Sequence, residues 1–545
     1  MYRLRALLTR KRRILVYLLV AAVTAVNFAL LYDFRPHIWA AVDLVNSIGH
    51  SASARFSRLS EGVKTTALLD VDLARFDLNA TGESGDGRRY GAIEWLGSDR
   101  LLLGTDYGQL FLVDIADGNA VATKLPLRVE LNREALGEHA GRNTIRVNTR
   151  WLRLDDLLLF DNRRQLAVSF SQWDPEQHCV SLRVAVVPVP QDWSAVSAKD
   201  LREVFRSTPC LPLKTAGHAL AGHQSGGRLV EATNGKLLIS IGDFEFDGRE
   251  GLPHHPQDPN VDYGKIVEFD PASGEKRIVS AGHRNPQGLA RDDQGRIWSS
   301  EHGPRGGDEL NLIVAGANYG WPEVSLGVDY VLGYWPNAAQ QGRHARYRPP
   351  AFAWVPSIAT SQLIQVRNFA DEWDGDLLLG GLATKSLYRI RLEGDTVQYV
   401  EPITIENRVR DIVQDDRGKI WLWTDEGNLL RLTPRPRSAG SPVASLSAPA
   451  RNVMEGCLEC HDLSAAASSA GRIPLGGVAG RRVASAPGVD YTPALKSLGG
   501  VWTAARIDAF IAAPDAVAPG TAMPSVPIND AAVRAEIVTF LANLK

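Results

Sequence analysis

The sequence predicts an all-β six-bladed β-propeller, preceded by one transmembrane helix and followed by a small all-α domain. Three observations carry this. The chain of 545 residues is too long for one small core, and it is rich in turn formers, with 49 glycines and 30 prolines but few long helical patterns. From about residue 89 it repeats a polar turn followed by short apolar strands, in units of about 40–60 residues, as propeller blades do. A Pro-, Ser- and Ala-rich stretch without periodicity, 434–450, then separates a last segment, 451–545.

The N-terminus is basic over 1–13, with Arg3, Arg5, Arg10, Lys11, Arg12 and Arg13. Ile14 to Tyr32 carries no charge, and a helix of that length spans about 28 Å, close to the hydrocarbon thickness of a bilayer. The basic flank stays cytoplasmic, so the expectation is an uncleaved inner-membrane anchor at 14–32 with the rest of the chain in the periplasm. No small-x-small cleavage site directly follows the apolar run, which argues against a removed signal peptide. Residues 33–84 form a connector, and Thr65–Asp72 within it can supply a strand that closes the ring.

The propeller is expected over 85–433, with blades beginning near Arg89, Asn143, His223, Arg284, Pro356 and Arg408. Its strands are clearest in Arg100–Leu103 with Leu110–Asp114, in Lys236–Ile241 with Lys265–Asp270, and in Lys419–Trp423 with Asn428–Leu432. Each pair straddles a turn rich in Gly, Asp or Asn, as hairpins require. Two long insertions, Phe244–Tyr263 and Glu323–Pro349, interrupt the repeats and are candidates for pocket walls or lids.

In the last segment Cys457-Leu458-Glu459-Cys460-His461 reads as a c-type haem attachment site: two thiols two residues apart for covalent linkage, and a histidine for the iron. A Met/His axial pair is usual for such a haem. Met454 lies too close to the first cysteine to reach the opposite face. Met523, in Pro519-Gly520-Thr521-Ala522-Met523-Pro524, is the expected sixth ligand. These words, with Gly480-Arg481, Tyr491-Thr492-Pro493-Ala494-Leu495-Lys496 and Trp502-Thr503, resemble the small class I cytochromes c over the whole domain. A last helix, Ala531–Leu544, would pack across the first.

The formal net charge of −2 gives no reason to expect a nucleic-acid partner. Haem attachment implies an oxidising compartment, in which Cys179 and Cys210 can bridge; two buried free thiols are the alternative.

One window organises the chain. It reads Gly282-His283-Arg284-Asn285-Pro286-Gln287-Gly288, then Glu301-His302-Gly303-Pro304-Arg305-Gly306-Gly307-Asp308-Glu309-Leu310-Asn311, then Asn318-Tyr319-Gly320-Trp321-Pro322. This text resembles the signature of the soluble quinoprotein glucose and aldose sugar dehydrogenases, the glucose/sorbosone dehydrogenase family, and a weaker resemblance extends over about 85–435. The resemblance implies a six-bladed propeller that binds pyrroloquinoline quinone (PQQ) and calcium. His223, in His223-Gln224-Ser225-Gly226-Gly227-Arg228-Leu229, matches the catalytic base. A histidine suits that task, since its ordinary pKa lies near neutrality. Arg284 and Asn285 match the pair that contacts the reactive quinone oxygens. Lys385, Arg408 and Arg410 match cations that hold the three carboxylates of PQQ, for which fork-shaped arginines are suited. The backbone carbonyls of Gly303 and Pro304 match ligands of the calcium that bridges to the quinone, and Asp308, Glu309 and Tyr319 match a separate structural calcium site. Calcium takes such oxygen donors. Should His223 fail as the base, His254, His255 and His302 come next.

The chain also departs from the family. Gly222 stands where glucose-oxidising relatives have Asp, and Asn148–Phe170 lacks their Gly-Gln-x-Gly-Leu-Leu-type motif, for which Asp155 or Asp156 can substitute. The functional expectation is a dehydrogenase that oxidises a hydroxyl or hemiacetal of a sugar-like or alcohol substrate. Electrons pass from PQQ to one covalently bound haem c and on to a respiratory acceptor. The alternative is a catalytically inactive propeller that binds a glycan or protein partner and carries the cytochrome as a redox module.

Overall fold

The computed structural model describes residues 62–76, 78, 90–116, 119–220, 222–233, 235–330, 343–435, 442–458, 460–465, 473–486, 489–523 and 528–544. The anchor expected at 14–32 and the basic segment before it lie outside the described residues. Among the described residues no helix is long and apolar enough to cross a membrane.

Six antiparallel sheets follow one another along the chain. The first blade comprises Gly91–Gly97, Arg100–Thr105, Gln109–Ala116 and Asn119–Arg128. The second comprises Leu154–Phe160, Gln165–Asp174, Cys179–Pro188 and Arg202–Arg206. The third and fourth start at Gly226–Glu231 and Pro286–Arg291, and the fifth at Thr360–Gln365. The sixth takes Val409–Gln414, Ile420–Thr424 and Leu429–Arg435 from one end of the propeller and Asp70–Phe76 and Gly62–Thr65 from the other. Asp70–Phe76 pairs antiparallel with Leu429–Arg435, from Asp70 opposite Arg435 to Phe76 opposite Leu429. Val71, Leu73 and Phe76 are buried there, so the closing strand is held by apolar packing as well as by its ladder. Closure leaves no sheet edge open between the last blade and the first.

The first strand of each blade packs against the first strand of the next, all the way round. Serine hydroxyls couple neighbouring blades. Ser169 Oγ donates to Gly227 O, Ser240 Oγ to Pro286 O, Ser300 Oγ to Ser361 O, and Ser361 Oγ to Val409 O. At the middle of the ring lies Arg228, which is almost wholly buried. Its Nε donates to Gln287 O (2.9 Å), Nη1 to Asp156 (3.0 Å) and Asp411 (3.1 Å), and Nη2 to Arg410 O (2.9 Å). One guanidinium thus ties four blades together, and burial raises the carboxyl of Asp156 to about 7.

The second blade begins later than expected. Helix Arg133–Arg142 and the short turn Thr149–Trp151 occupy the stretch from which a strand was expected near Asn143. Cys179 and Cys210 are bridged, with S–S 2.05 Å, across the edge where Leu211–Pro212 joins the second blade. After the propeller come helices Ala448–Cys457, Pro493–Leu498, Ala504–Ala512, Pro514–Val517 and Ala531–Asn543. The segment is not purely helical, since His461–Asp462 pairs in parallel with Ile473–Pro474. Met454, Ile507, Ile511, Ile537 and Leu541 form its core, and the last helix packs on the first.

Candidate active site

Gly222 to Gly227 turns repeatedly through the left-handed backbone region, at Gly222, Gln224, Gly226 and Gly227. At Gly227 (φ +100°) a Cβ would lie 2.4 Å from that of Asp155, so only glycine lets the Asp155 carboxylate approach. Asp155 Oδ1 accepts from Ser225 Oγ (3.1 Å) and Arg153 Nε (2.7 Å), which fixes the loop that carries His223. The histidine remains partly exposed. Its Nδ1 meets Glu245 Oε1 at 3.1 Å, and its ring packs edge-on to Trp151 with centroids 4.1 Å apart. Burial pushes the Glu245 carboxyl up, but the hydrogen bond and charge of His223, and the charge of Arg284, outweigh it and hold the carboxyl below its usual range. With Nδ1 engaged, Nε2 is the ring nitrogen left for a ligand.

Arg284 is fixed beside this loop. Its Nη1 donates to Gly303 O (2.7 Å) and His302 O (3.2 Å), and its guanidinium lies 5.2 Å from the Trp321 ring centre. With the Gln224 amide oriented to donate to Asp243 Oδ1 (2.9 Å), its oxygen accepts from Arg284 Nη2 (3.3 Å). Asn285 Oδ1 accepts from Gly226 N (3.3 Å) and Gln287 Nε2 (2.9 Å), so its side chain orders the same turn. Among the other histidines, His302 gives Nε2 to Thr360 O (2.6 Å) and burial lowers its pKa. His255 stacks on Phe246 and Tyr263, and burial lowers it to about 4. His254 faces Glu323 at 3.4 Å.

Across the ring, Arg410 lies in strand Val409–Gln414 and Arg408 just before it, and both reach Asp425. Arg410 donates through Nε (2.7 Å) and Nη2 (2.9 Å), and Arg408 through Nε (2.9 Å). Arg408 Nη1 also donates to Leu382 O (3.1 Å), in the turn that carries Lys385. Lys385 is exposed and has a left-handed backbone (φ 53°). Its ammonium makes no ion pair with any described residue. Arg410 lies under the Tyr90 ring (4.7 Å), whose other neighbour is Arg153 (5.7 Å). Arg153 in turn lies 5.8 Å from the Trp151 ring, which touches His223. Contacts therefore run round the mouth from His223 through Gln224, Arg284, His302, Thr360, its strand partner Gly381, Leu382, Arg408, Asp425, Arg410, Tyr90, Arg153 and Trp151 back to His223, visiting every blade.

Of the expected calcium ligands, Gly303 O accepts from Arg284 Nη1 and Pro304 O accepts from Tyr330 Oη at 3.2 Å; a carbonyl oxygen has two lone pairs, so each keeps one for a further partner. Asp308 spends Oδ1 on Gly303 N and Oδ2 on Ser357 Oγ, Ile358 N and Ala359 N; it shapes the loop and does not line the cavity beside it. That cavity, of about 20 Å³, is lined by Glu301, Glu309 and Tyr319 and has room for one water or one ion. Glu301 and Glu309 face each other across two strands. Burial and the like charge of Glu301 raise Glu309 to about 8. Asn311 Nδ2 reaches both carboxylates, while its Oδ1 is buried without a hydrogen-bond partner among the described residues. Glu301 Oε1 already meets His283 Nδ1 and Asn311 Nδ2, and its Oε2 accepts from Arg284 N, so Glu309 is the lining carboxylate best placed to give an oxygen to a hard cation. The Tyr319 hydroxyl is committed to Leu312 O and Val314 N.

In the last segment Cys457, Cys460, His461 and Met523 line one cavity of about 300 Å³, together with Met454. Neither cysteine is in a disulfide, and Cys457 Sγ donates to Val453 O (3.3 Å). His461 Nδ1 is held at Ile473 O (3.2 Å), which leaves Nε2 for a metal. Two unbridged thiols, an oriented imidazole and an apolar wall fit a covalently bound haem.

Sequence reading missed Tyr90, Trp151, Arg153, Glu245 and Asp425. Alternation in Arg153-Leu154-Asp155 placed two charges on one strand face, a usable signal; nothing local marked the others.

The chain is thus a closed propeller whose mouth gathers a histidine and a set of cations, followed by a segment whose cavity is lined by two cysteines, a histidine and methionines. Residues 154–431 match the family model described as Glucose / Sorbosone dehydrogenase, and the chain belongs to that family. It is 31% identical over 211 residues to quinoprotein glucose dehydrogenase B of Acinetobacter calcoaceticus, covering 33% of this chain and 40% of that protein. Its C-terminal part is 32% identical over 105 residues to cytochrome c2 of Rhodomicrobium vannielii, covering 19% of this chain and 80% of that protein. The crystal structure of the soluble aldose sugar dehydrogenase of Escherichia coli superposes with TM-score 0.52 at 25% identity, covering 67% of this chain and 100% of that one. The matches span 56%, 65% and 40% of the first three curated relatives' own lengths.

Proposed function

We propose that this chain is a quinohaemoprotein dehydrogenase that oxidises a hydroxyl or hemiacetal carbon of a sugar-like substrate. The observation that carries this reading is the closed circuit of contacts round the propeller mouth, which joins His223 to Arg284, Arg408 and Arg410. PQQ, when bound, would accept two electrons as hydride, and haem c would receive them singly.

Within that reading each residue has a task. His223 takes the substrate hydroxyl proton at Nε2, while Glu245 fixes Nδ1–H and balances the charge that develops on the ring. Arg408, Arg410 and Lys385 would hold the cofactor's carboxylates. Asp425 cancels one of the two arginine charges and sets the direction of both forks. Arg284, held by two carbonyls, would set a fixed positive charge against the quinone oxygens, which gain negative charge when the cofactor is reduced. Glu309 would give an oxygen to a structural calcium. Cys457 and Cys460 would carry the haem, and His461 and Met523 would hold its iron. We further infer an inner-membrane anchor at 14–32, a periplasmic location, and a respiratory acceptor. The basic flank of the apolar run, the cysteine bridge and the haem-attachment motif support that location.

The test is to load the full-length protein with PQQ and calcium and follow the haem absorption while sugars, alcohols and aldehydes are added in turn. Reduction by at least one sugar is expected. A protein that retains no PQQ, and whose haem none of these reduces, would remove the reading.

A further inference from the structure

Trp151 is a half-buried indole beside the proposed base, and three features hold it there. The side chain of Asn148 caps its short turn, accepting from Arg150 N (3.2 Å). The Arg133 guanidinium bonds the carbonyls on either side of it, Leu152 O through Nε (2.5 Å) and Arg150 O through Nη2 (3.3 Å). Arg133 is itself anchored at Asp106 O (2.9 Å) and Asp106 Oδ2 (3.4 Å). Arg153 lies 5.8 Å from the ring centre, its own direction fixed by Asp155.

The indole flanks His223 on the side where the chain carries no side chain. Gly222 has φ +73°, and a Cβ there would sit 3.1 Å from Trp151 Cβ. The indole Nε1 is buried without a hydrogen-bond partner among the described residues, which costs the fold stability and gains nothing in polar bonding. An indole whose backbone is tied on both sides at such a cost, T-shaped to the base with centroids 4.1 Å apart, is placed for its apolar surface.

We propose that Trp151 is a specificity-determining residue: the wall on which the C–H face of a pyranose ring lies, so that a ring hydroxyl meets His223 Nε2. This rests on the reading of His223 as the base. A cyclic sugar has a flat patch of C–H bonds that an indole covers well, whereas a short linear alcohol has none. Trp151 therefore sets the choice between them through binding rather than through the chemical step.

The test separates binding from turnover. Calorimetry on the PQQ- and calcium-loaded full-length protein would use methyl β-D-glucopyranoside as probe, with wild type, Trp151→Phe, Trp151→Leu and Trp151→Ala compared. Trp151→Phe should bind within about threefold of wild type, while Trp151→Leu and Trp151→Ala should weaken binding about tenfold or more, the scale of one lost aromatic contact. In haem-reduction assays the two non-aromatic variants should raise KM for pyranoses and leave kcat/KM for a linear alcohol unchanged. Equal binding by wild type and Trp151→Leu, no binding by wild type, or an equal loss of kcat on pyranoses and linear alcohols would overturn the proposal. Trp151-dependent glycoside binding in a protein whose haem no sugar reduces would leave the wall standing and remove the dehydrogenase reading. Sugar-dependent reduction with unchanged KM in Trp151→Leu would do the reverse.

Discussion

Asp425 holds Arg410 at two points, with Nε at 2.7 Å from one carboxylate oxygen and Nη2 at 2.9 Å from the other. The pair is almost wholly buried, with side-chain exposures of 8% for Arg410 and 1% for Asp425, whereas Arg408, on the same carboxylate, is 26% exposed. Their substitutions should therefore separate. Arg410→Ala leaves a buried carboxylate short of its main partner and should cost about 3–5 kcal/mol of stability. Arg408→Ala should leave the melting temperature near wild type but weaken PQQ binding by about 1.5–3 kcal/mol, the worth of a charge-assisted contact. Equilibrium titration with PQQ alongside thermal melts checks both. Equal melting temperatures in the two variants would contradict the assignment.

Glu245 is expected to act through His223 and not on the cofactor. Glu245→Gln keeps the shape but removes the charge that balances the ring. It should lower kcat about tenfold, less than the loss of the general base itself, with PQQ affinity and KM unchanged. Steady-state kinetics and PQQ titration on the same preparation would show it; a loss confined to KM would place Glu245 in substrate binding instead.

Asp243 gives the propeller a pH dependence whose sign is fixed. Burial, then the nearby charge of Asp247, raises its carboxyl to about 8 from an ordinary 3.8. Between those values the folded state keeps a proton that the unfolded chain has released, so this group makes stability fall as pH rises from about 4 to about 8. Asp243→Asn should flatten that fall. Melting temperatures at pH 5 and pH 8 decide it, and an equally steep fall in the variant would rule out Asp243 as the source.

The cavity between Glu301 and Glu309 should bind calcium. Added calcium is expected to raise the melting temperature of the wild type and to do so much less in Glu309→Gln, since any ligand of the folded state alone stabilises by mass action. An undiminished calcium shift in Glu309→Gln would place the ion elsewhere.

Much of the fold was legible because propeller strands advertise themselves locally. Gly97-Ser98-Asp99-Arg100 and Asp415-Asp416-Arg417-Gly418 are turns between apolar runs, and Asp70–Phe76 has the alternation of a strand with one buried face. The late start of the second blade was not legible, since helix Arg133–Arg142 has no marked apolar stripe and its N-cap residue Asn132 makes no side-chain cap bond. At the site, matching words located His223, Arg284, Arg408 and Arg410 but not what each touches. Asp425 lies 15 residues beyond Arg410 and Glu245 lies 22 beyond His223, and only the ring brings these pairs together. The same limit hid that Arg284 donates to Gly303 O, a bond that no local pattern records.

The most direct measurement is the rate of haem reduction in a single turnover, with PQQ and calcium loaded and a reactive sugar added, in wild type and His223→Ala. The variant should retain PQQ and still accept electrons from a reductant that acts on the haem directly, yet reduce its haem with sugar at least about 100-fold more slowly, the size expected for a lost general base. Haem reduction at the wild-type rate in His223→Ala would contradict the assignment of the base.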